Sequence, residues 1–179
     1  VNSVDDRPVS AAGDRVKTTG PGGAGRRSAA RLAAVQALYQ IEIGGAAPAE
    51  VIAQFLAGER PEPEAEDRGS IVLPEPDARL FAALVEGVIA VRPQLDAAIA
   101  RSLATDWTVE RLEILVRIIL EAGVFELTSM PDIPPKVSIN EYVNVAHAFF
   151  GGAEPGLING VLDAVAGAAG ASPVPREGA

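Results

Sequence analysis

Between Thr108 and Ser129 the polar side chains Glu110, Glu113, Arg117 and Glu121 recur at i, i+3, i+7 and i+11, and nearly every other position is apolar. A helix with so narrow a polar stripe offers water only a thin face, so it has to lie in the middle of a fold with other helices around it. Thr108 is placed to cap its start. Glu113–Arg117 and Arg117–Glu121 are also i,i+4 pairs of opposite charge, each favourable by ~0.2–0.5 kcal/mol.

The rest of the chain supplies the covering helices. Apolar residues reach helical spacing over 28–43 (Leu32, Val35, Leu38, Tyr39, Ile43), and Gly44-Gly45 ends that run. Pro48 opens a second helix, with Val51, Ile52, Phe55 and Leu56 inward, as far as Gly58. A third is predicted over 77–91, and Pro93 stops it and starts a fourth through about Leu103. The broadly apolar helix is the fifth. After Pro131, Pro134 and Pro135, Ser138 and Glu141 have capping-box spacing and open a sixth, with Ile139, Tyr142, Val143, Ala146 and Phe149/Phe150 on its buried side. Gly151-Gly152 breaks that helix, and a last one covers about 155–168. No segment alternates with period two. The expected fold is all-α, with about seven helices.

Composition sharpens this. Aromatics make up 4 % against 48 % apolar, so the core is built from Ala, Val, Leu and Ile, and abundant alanine favours helix. A chain of 179 residues can bury one domain's core. The predicted organisation is a disordered, basic, Gly/Pro-rich tail over 1–25, a helical domain over 26–170 and a flexible tail over 171–179. The stretch 59–76 holds four prolines and most of the acid nearby, so it reads as a long loop.

Enzyme chemistry finds little to use. The chain has no cysteine, which excludes disulfides and thiolate metal sites and fits a reducing compartment. His147 is the only histidine, on a polar stripe with Asn140 and Asn144, and reads as a surface residue. No phosphate-cradling loop is present. No metal, no cofactor and no catalytic residue is expected. No apolar run approaches the ~18 residues that span a bilayer, and Val1–Pro8 lacks a signal peptide's hydrophobic core, so a cytoplasmic protein without membrane contact is expected.

Charge points to binding. The net charge is −9, yet residues 1–31 carry six basic groups against three acidic ones. Arg26, Arg27 and Arg31 cluster at the start of the first helix, where the helix dipole disfavours cations. Arginines so placed suit phosphate contacts that position an RNA backbone without reading its sequence.

Four segments carry a family resemblance. Arg27-Ser28-Ala29-Ala30-Arg31 with Ala34–Gln40 resembles the opening helix of NusB proteins. Trp107–Leu112 with Phe125-Glu126-Leu127 resembles their central helix. Ile133–Glu141 and Asn159-Gly160-Val161-Leu162-Asp163 resemble their C-terminal signature. Together these segments span residues 26–168 in the family's order.

The resemblance implies two packed helical subdomains and a non-enzymatic transcription antitermination factor. Such a factor binds the boxA element of nascent ribosomal RNA together with NusE, a small-subunit ribosomal protein, and serves the antitermination complex of RNA polymerase. It places RNA contacts at Arg26, Arg27, Arg31, Phe150, Gly151, Gly152, Leu157 and Asn159, which the fold is expected to bring together. It places protein-partner contacts at Tyr39, Val116 and Arg117. Ser28 and Ala29 thin the family's basic cluster, Val116 replaces a common acidic residue, and Glu121 replaces a common arginine. Two alternatives stay open: a homodimeric interaction module without RNA activity, and an RNA-binding domain related to ribosomal RNA methyltransferases. The second requires a following cofactor domain, which the roughly ten residues after the last helix do not leave room for.

Overall fold

The computed structural model describes residues 22–58 and 74–171, with side chains over 23–58 and 74–168. The described residues form six α-helices and one short 3-10 turn: α1 (Gly22–Gly44), α2 (Pro48–Leu56), α3 (Ala78–Ser102), the 3-10 turn Val109–Arg111, α4 (Ile114–Ser129), α5 (Pro135–Phe149) and α6 (Glu154–Ala171). The expected tail over 1–25 lies outside the described residues up to position 21, and Gly22–Gly25 belong to α1 instead. The expected loop 59–76 lies outside them up to Leu73. Of the C-terminal tail only Ala171 is described, as the last residue of α6.

Each boundary has a local cause. Gly45 ends α1 at φ +61°, a left-handed conformation that favours glycine, and its N–H donates to the Ile41 carbonyl at 3.0 Å. Pro48 sits in the first turn of α2, where its missing N–H costs nothing. Asp77 caps α3 by accepting from the Arg79 and Leu80 N–H groups, both at 3.1 Å. The expected third and fourth helices follow one another without a loop: α3 is two helical segments joined at a kink at Val91 (φ −123°, ψ 21°), just before Pro93, which removes a helical donor.

The fifth helix of the sequence reading divides. Val109–Arg111 form the 3-10 turn, Leu112 and Glu113 are extended, and α4 proper starts at Ile114. Its central position holds: every residue from Ile118 to Val124 is buried, and α4 packs on α1, α3, α5 and α6. The polar stripe is only partly a solvent face, because Glu121 is buried. The capping box expected at Ser138 and Glu141 is not formed. Pro134 precedes the first turn and α5 begins at Pro135, which leaves Ser138 inside the helix and buried.

Helices α1, α2 and α3 pack on one another, as do α4, α5 and α6, and the two groups share a single apolar core along α4. Buried alanines (Ala29, Ala30, Ala33, Ala34, Ala37) let neighbours approach α1 closely. Phe55 stacks on Phe81 with ring centroids 5.5 Å apart, fixing α2 to α3. At Gly87 a Cβ would overlap the Phe125 ring, so the α3–α4 contact requires glycine there. No helix among the described residues is long and apolar enough to cross a membrane.

Candidate nucleic-acid and partner surfaces

The exposed end of α1 is set by a buried ion pair beneath it. Arg31 Nε donates to both Glu126 oxygens at 3.1 and 2.9 Å, and Nη2 donates to Oε1 at 2.8 Å. Ser138 Oγ donates to Glu126 Oε1 at 2.6 Å, and the Tyr142 hydroxyl donates to Oε2 at 3.2 Å. Arg31 Nη1 reaches Glu141 Oε2 at 3.2 Å. Donors thus meet both oxygens of this buried carboxylate, as burial of so polar a group requires. Burial works against the Arg31 charge, but hydrogen bonding to Glu126 and its field outweigh that and hold the guanidinium above its usual range. Burial, then the Glu126 charge, push the Tyr142 phenol well up, so it remains a donor.

Arg31 is 2 % exposed, and this corrects its assignment as an RNA contact. It pins α1 to α4 and α5 and has no face for a phosphate. Arg26 and Arg27, one turn earlier, are exposed. The Arg26 carbonyl accepts from the Asp77 N–H at 3.0 Å, which ties this turn to the start of α3.

Helices α1 and α5 run side by side in the same direction. Arg31 meets Glu141, and eight residues further along each helix Tyr39 and Phe149 line one groove. The arginines therefore sit level with the start of α5, while Phe150, Gly151 and Gly152 follow its end. From Arg27 to Tyr39 the rise along α1 is about 18 Å. The arginines and the glycine turn are thus not brought together but lie at opposite ends of the α1–α5 pair. Gly151 and Gly152 are exposed, Phe150 is half-buried against the core, and neither glycine has a positive φ. Leu157 is half-buried on α6; Asn159 is exposed and donates to Asp163 Oδ2 at 3.1 Å.

At the far end lies an apolar groove of about 670 Å³ lined by Gln36, Tyr39, Gln40, Ile43, Gly44, Leu115 and Phe149. Tyr39 is 42 % exposed, Ile43 57 % and Phe149 42 %. Helical spacing puts Phe149 among the inward residues of its helix, but period alone does not tell a core face from an uncovered one. Val116 is buried, which corrects its assignment as a partner contact. Arg117 is half-buried and already engaged: Nη2 and Nε donate to Asp96 at 2.6 and 3.2 Å, and Nε lies 2.9 Å from Glu121 Oε1.

Glu121 also meets Arg92 Nε at 3.1 Å, while Arg92 Nη1 pairs with Glu42 at 2.7 Å. These contacts to Glu121 are close but poorly aligned, so neither of its buried oxygens accepts a directed hydrogen bond. Burial pushes its carboxyl up to about 7, with the two arginines only partly offsetting it. Sequence spacing shows the Arg117–Glu121 pair of this cluster, but neither its links to Arg92, Glu42 and Asp96 nor the Glu126 network. Among the described residues no His, Cys, Asp and Glu groups are placed to hold a metal ion.

Comparison with known proteins follows the same lines. The sequence profile of the NusB family matches residues 28–167. The transcription antitermination protein NusB of Rhizobium leguminosarum bv. trifolii is 46 % identical over 143 residues, covering 80 % of this chain and 87 % of that protein. The protein of the same name from Rhodospirillum rubrum is 44 % identical over 174 residues, covering 90 % and 91 %. A chain in the crystal structure of antitermination factors NusB and NusE in complex with dsRNA shares the fold. Its TM-score is 0.62 at 22 % identity, over 79 % of this chain and 96 % of that one.

Proposed function

The chain belongs to the NusB family of transcription antitermination factors, and from that premise we propose that it binds boxA-like RNA of nascent ribosomal transcripts together with NusE. The pair then serves the antitermination complex of RNA polymerase in the cytoplasm, by binding and not by catalysis. The observation that carries the reading is the separation of two exposed surfaces on one chain. Arg26 and Arg27 offer a cationic end, and the Tyr39–Ile43–Leu115–Phe149 groove offers an apolar seat for a protein. Glu113, two residues before the groove residue Leu115 in the chain, is an exposed carboxylate, which suits a basic partner such as a ribosomal protein. A strand of RNA would run along the α1–α5 pair from the arginines toward Gly151, Gly152, Leu157 and Asn159.

The deciding experiment measures binding of a boxA-like RNA, with and without NusE, over a salt series. Affinity is expected with NusE and is expected to be weaker for a scrambled RNA. Equal affinity for both RNAs, or none with NusE present, would sink the reading. Arg26→Ala and Arg27→Ala should each lower affinity for any RNA and reduce the salt slope by about 0.7, with thermal stability unchanged. Phe149→Asp should weaken NusE binding by roughly thirtyfold or more in calorimetry, as expected for a central apolar contact. An unchanged NusE affinity would remove the groove from the interface. Sedimentation in the absence of NusE reads whether a second copy occupies the groove instead.

A further inference from the structure

We propose that the solvent face of α5, the stripe Lys136–Asn140–Asn144–His147, is the base-reading floor of the RNA path, with the two amides contacting bases and Lys136 a phosphate. The inference rests on the RNA reading above and assigns that site its sequence-recognising residues.

The placement comes first. Arginines lie at one end of the α1–α5 pair and the glycine turn at the other, so a strand joining them passes along α5, about 22 Å for its 15 residues. Spacings of four, four and three residues put Lys136, Asn140, Asn144 and His147 on one side of that helix, and all four are exposed.

Charge is the second observation. The chain carries 24 acidic residues and a net charge of −9, yet no exposed residue of α5 is a carboxylate. Its one acidic residue, Glu141, is turned to Arg31. The nearest carboxylates in sequence, Asp132 and Glu154, lie beyond the two ends of the helix. A stripe with no carboxylate of its own and opened by a lysine suits a polyanion far better than a basic protein.

Third, the amides are spare. Hydrogen bonds from α5 side chains run from Ser138 and Tyr142 and to Glu141, and neither Asn140 nor Asn144 has a side-chain partner among the described residues. Asparagine is a weak helix former, so two of them inside a helix do nothing for the fold that alanine would not do better. An amide presents a donor and an acceptor together, the pattern that matches a base edge. Single-stranded RNA exposes those edges once its bases unstack, and an imidazole can stack on one.

The test uses the full chain with NusE, a boxA-like RNA and a scrambled RNA of equal length, read by fluorescence anisotropy at several salt concentrations. The Asn140→Ala, Asn144→Ala double variant should lose about tenfold or more in affinity for the boxA-like RNA and little for the scrambled one. Its salt slope should not change, and its melting temperature should be equal or higher. Lys136→Ala should weaken both RNAs alike and flatten the slope. A double variant that discriminates as the unmodified chain does overturns the proposal. So does a loss confined to NusE affinity measured without RNA, which would give this face to the protein partner. Failure of the unmodified chain to prefer the boxA-like RNA overturns the RNA reading itself, and is seen before any variant is made.

Discussion

Arg31→Ala should destabilise the protein by about 3–5 kcal/mol and lower its melting temperature by roughly 10 °C, while Arg27→Ala one turn away leaves both unchanged. The cost comes mainly from what remains. Glu126 is fully buried, and without Arg31 it keeps only the Ser138 and Tyr142 hydroxyls as donors. Two neutral hydrogen bonds do not replace a forked, charge-assisted contact in the core, and the surviving carboxylate is stranded. Removing both charges, as in Arg31→Met with Glu126→Leu, should recover part of the loss, because the desolvation penalty disappears with the pair. Recovery should be incomplete, since the Ser138 and Tyr142 hydroxyls then lose their acceptor. Urea and thermal denaturation of the three variants measure this directly. An Arg31→Ala protein melting within about 2 °C of the unmodified one would mean that the network contributes nothing to the fold.

That contrast also shows where sequence stops being enough. Arg27 and Arg31 share one helical face and one residue type, and nothing in their neighbouring sequence separates them. The separation is tertiary: α4 and α5 cover the later turn and not the earlier one, and the partner Glu126 lies 95 residues away. A signal was nonetheless present. Glu126 falls roughly 180° around the helix from Arg117, outside the polar stripe, and a lone carboxylate on the apolar side of a central helix demands a buried cation.

The central place of α4 was legible for the opposite reason, because the width of an apolar face is a local property. Pro93 was legible as the place where one helical segment gives way to the next, and the kink falls two residues earlier, at Val91. Ser138 and Glu141 matched a capping box by spacing, and the helix began earlier because Pro134 and Pro135 already provide the rigid entry. Of the residues named for the two surfaces, Arg26, Arg27 and Tyr39 are among the exposed. Sequence could not find the groove, which exists only where Ile43, Leu115 and Phe149 from three helices meet without a cover.

The second large effect concerns pH. Across the range from about pH 4.5 to 7 the protein should lose on the order of 2–3 kcal/mol of stability through Glu121, relative to a Glu121→Gln variant. The folded-state carboxyl titrates near 7, above the ordinary 4.5, so between those values the native state holds a proton that the unfolded chain has released. Stability from this group is therefore complete below pH 4.5 and is lost as pH rises through 7. The groups facing it set the balance: Arg92 and Arg117 draw the carboxyl toward ionisation, while burial and Asp96 oppose it, with Glu42 occupying part of Arg92. Misaligned contacts explain why two arginines do not win, because neither offers Glu121 Oε1 or Oε2 a directed N–H. Ion-paired carboxylates elsewhere push the absolute curve the other way, so the informative quantity is the difference between the two proteins. Denaturation of both at pH 5, 6, 7 and 8 should show that difference shifting steadily in favour of the glutamine variant and levelling above 7. A constant difference would place the Glu121 titration at an ordinary value, with its arginines aligned in solution.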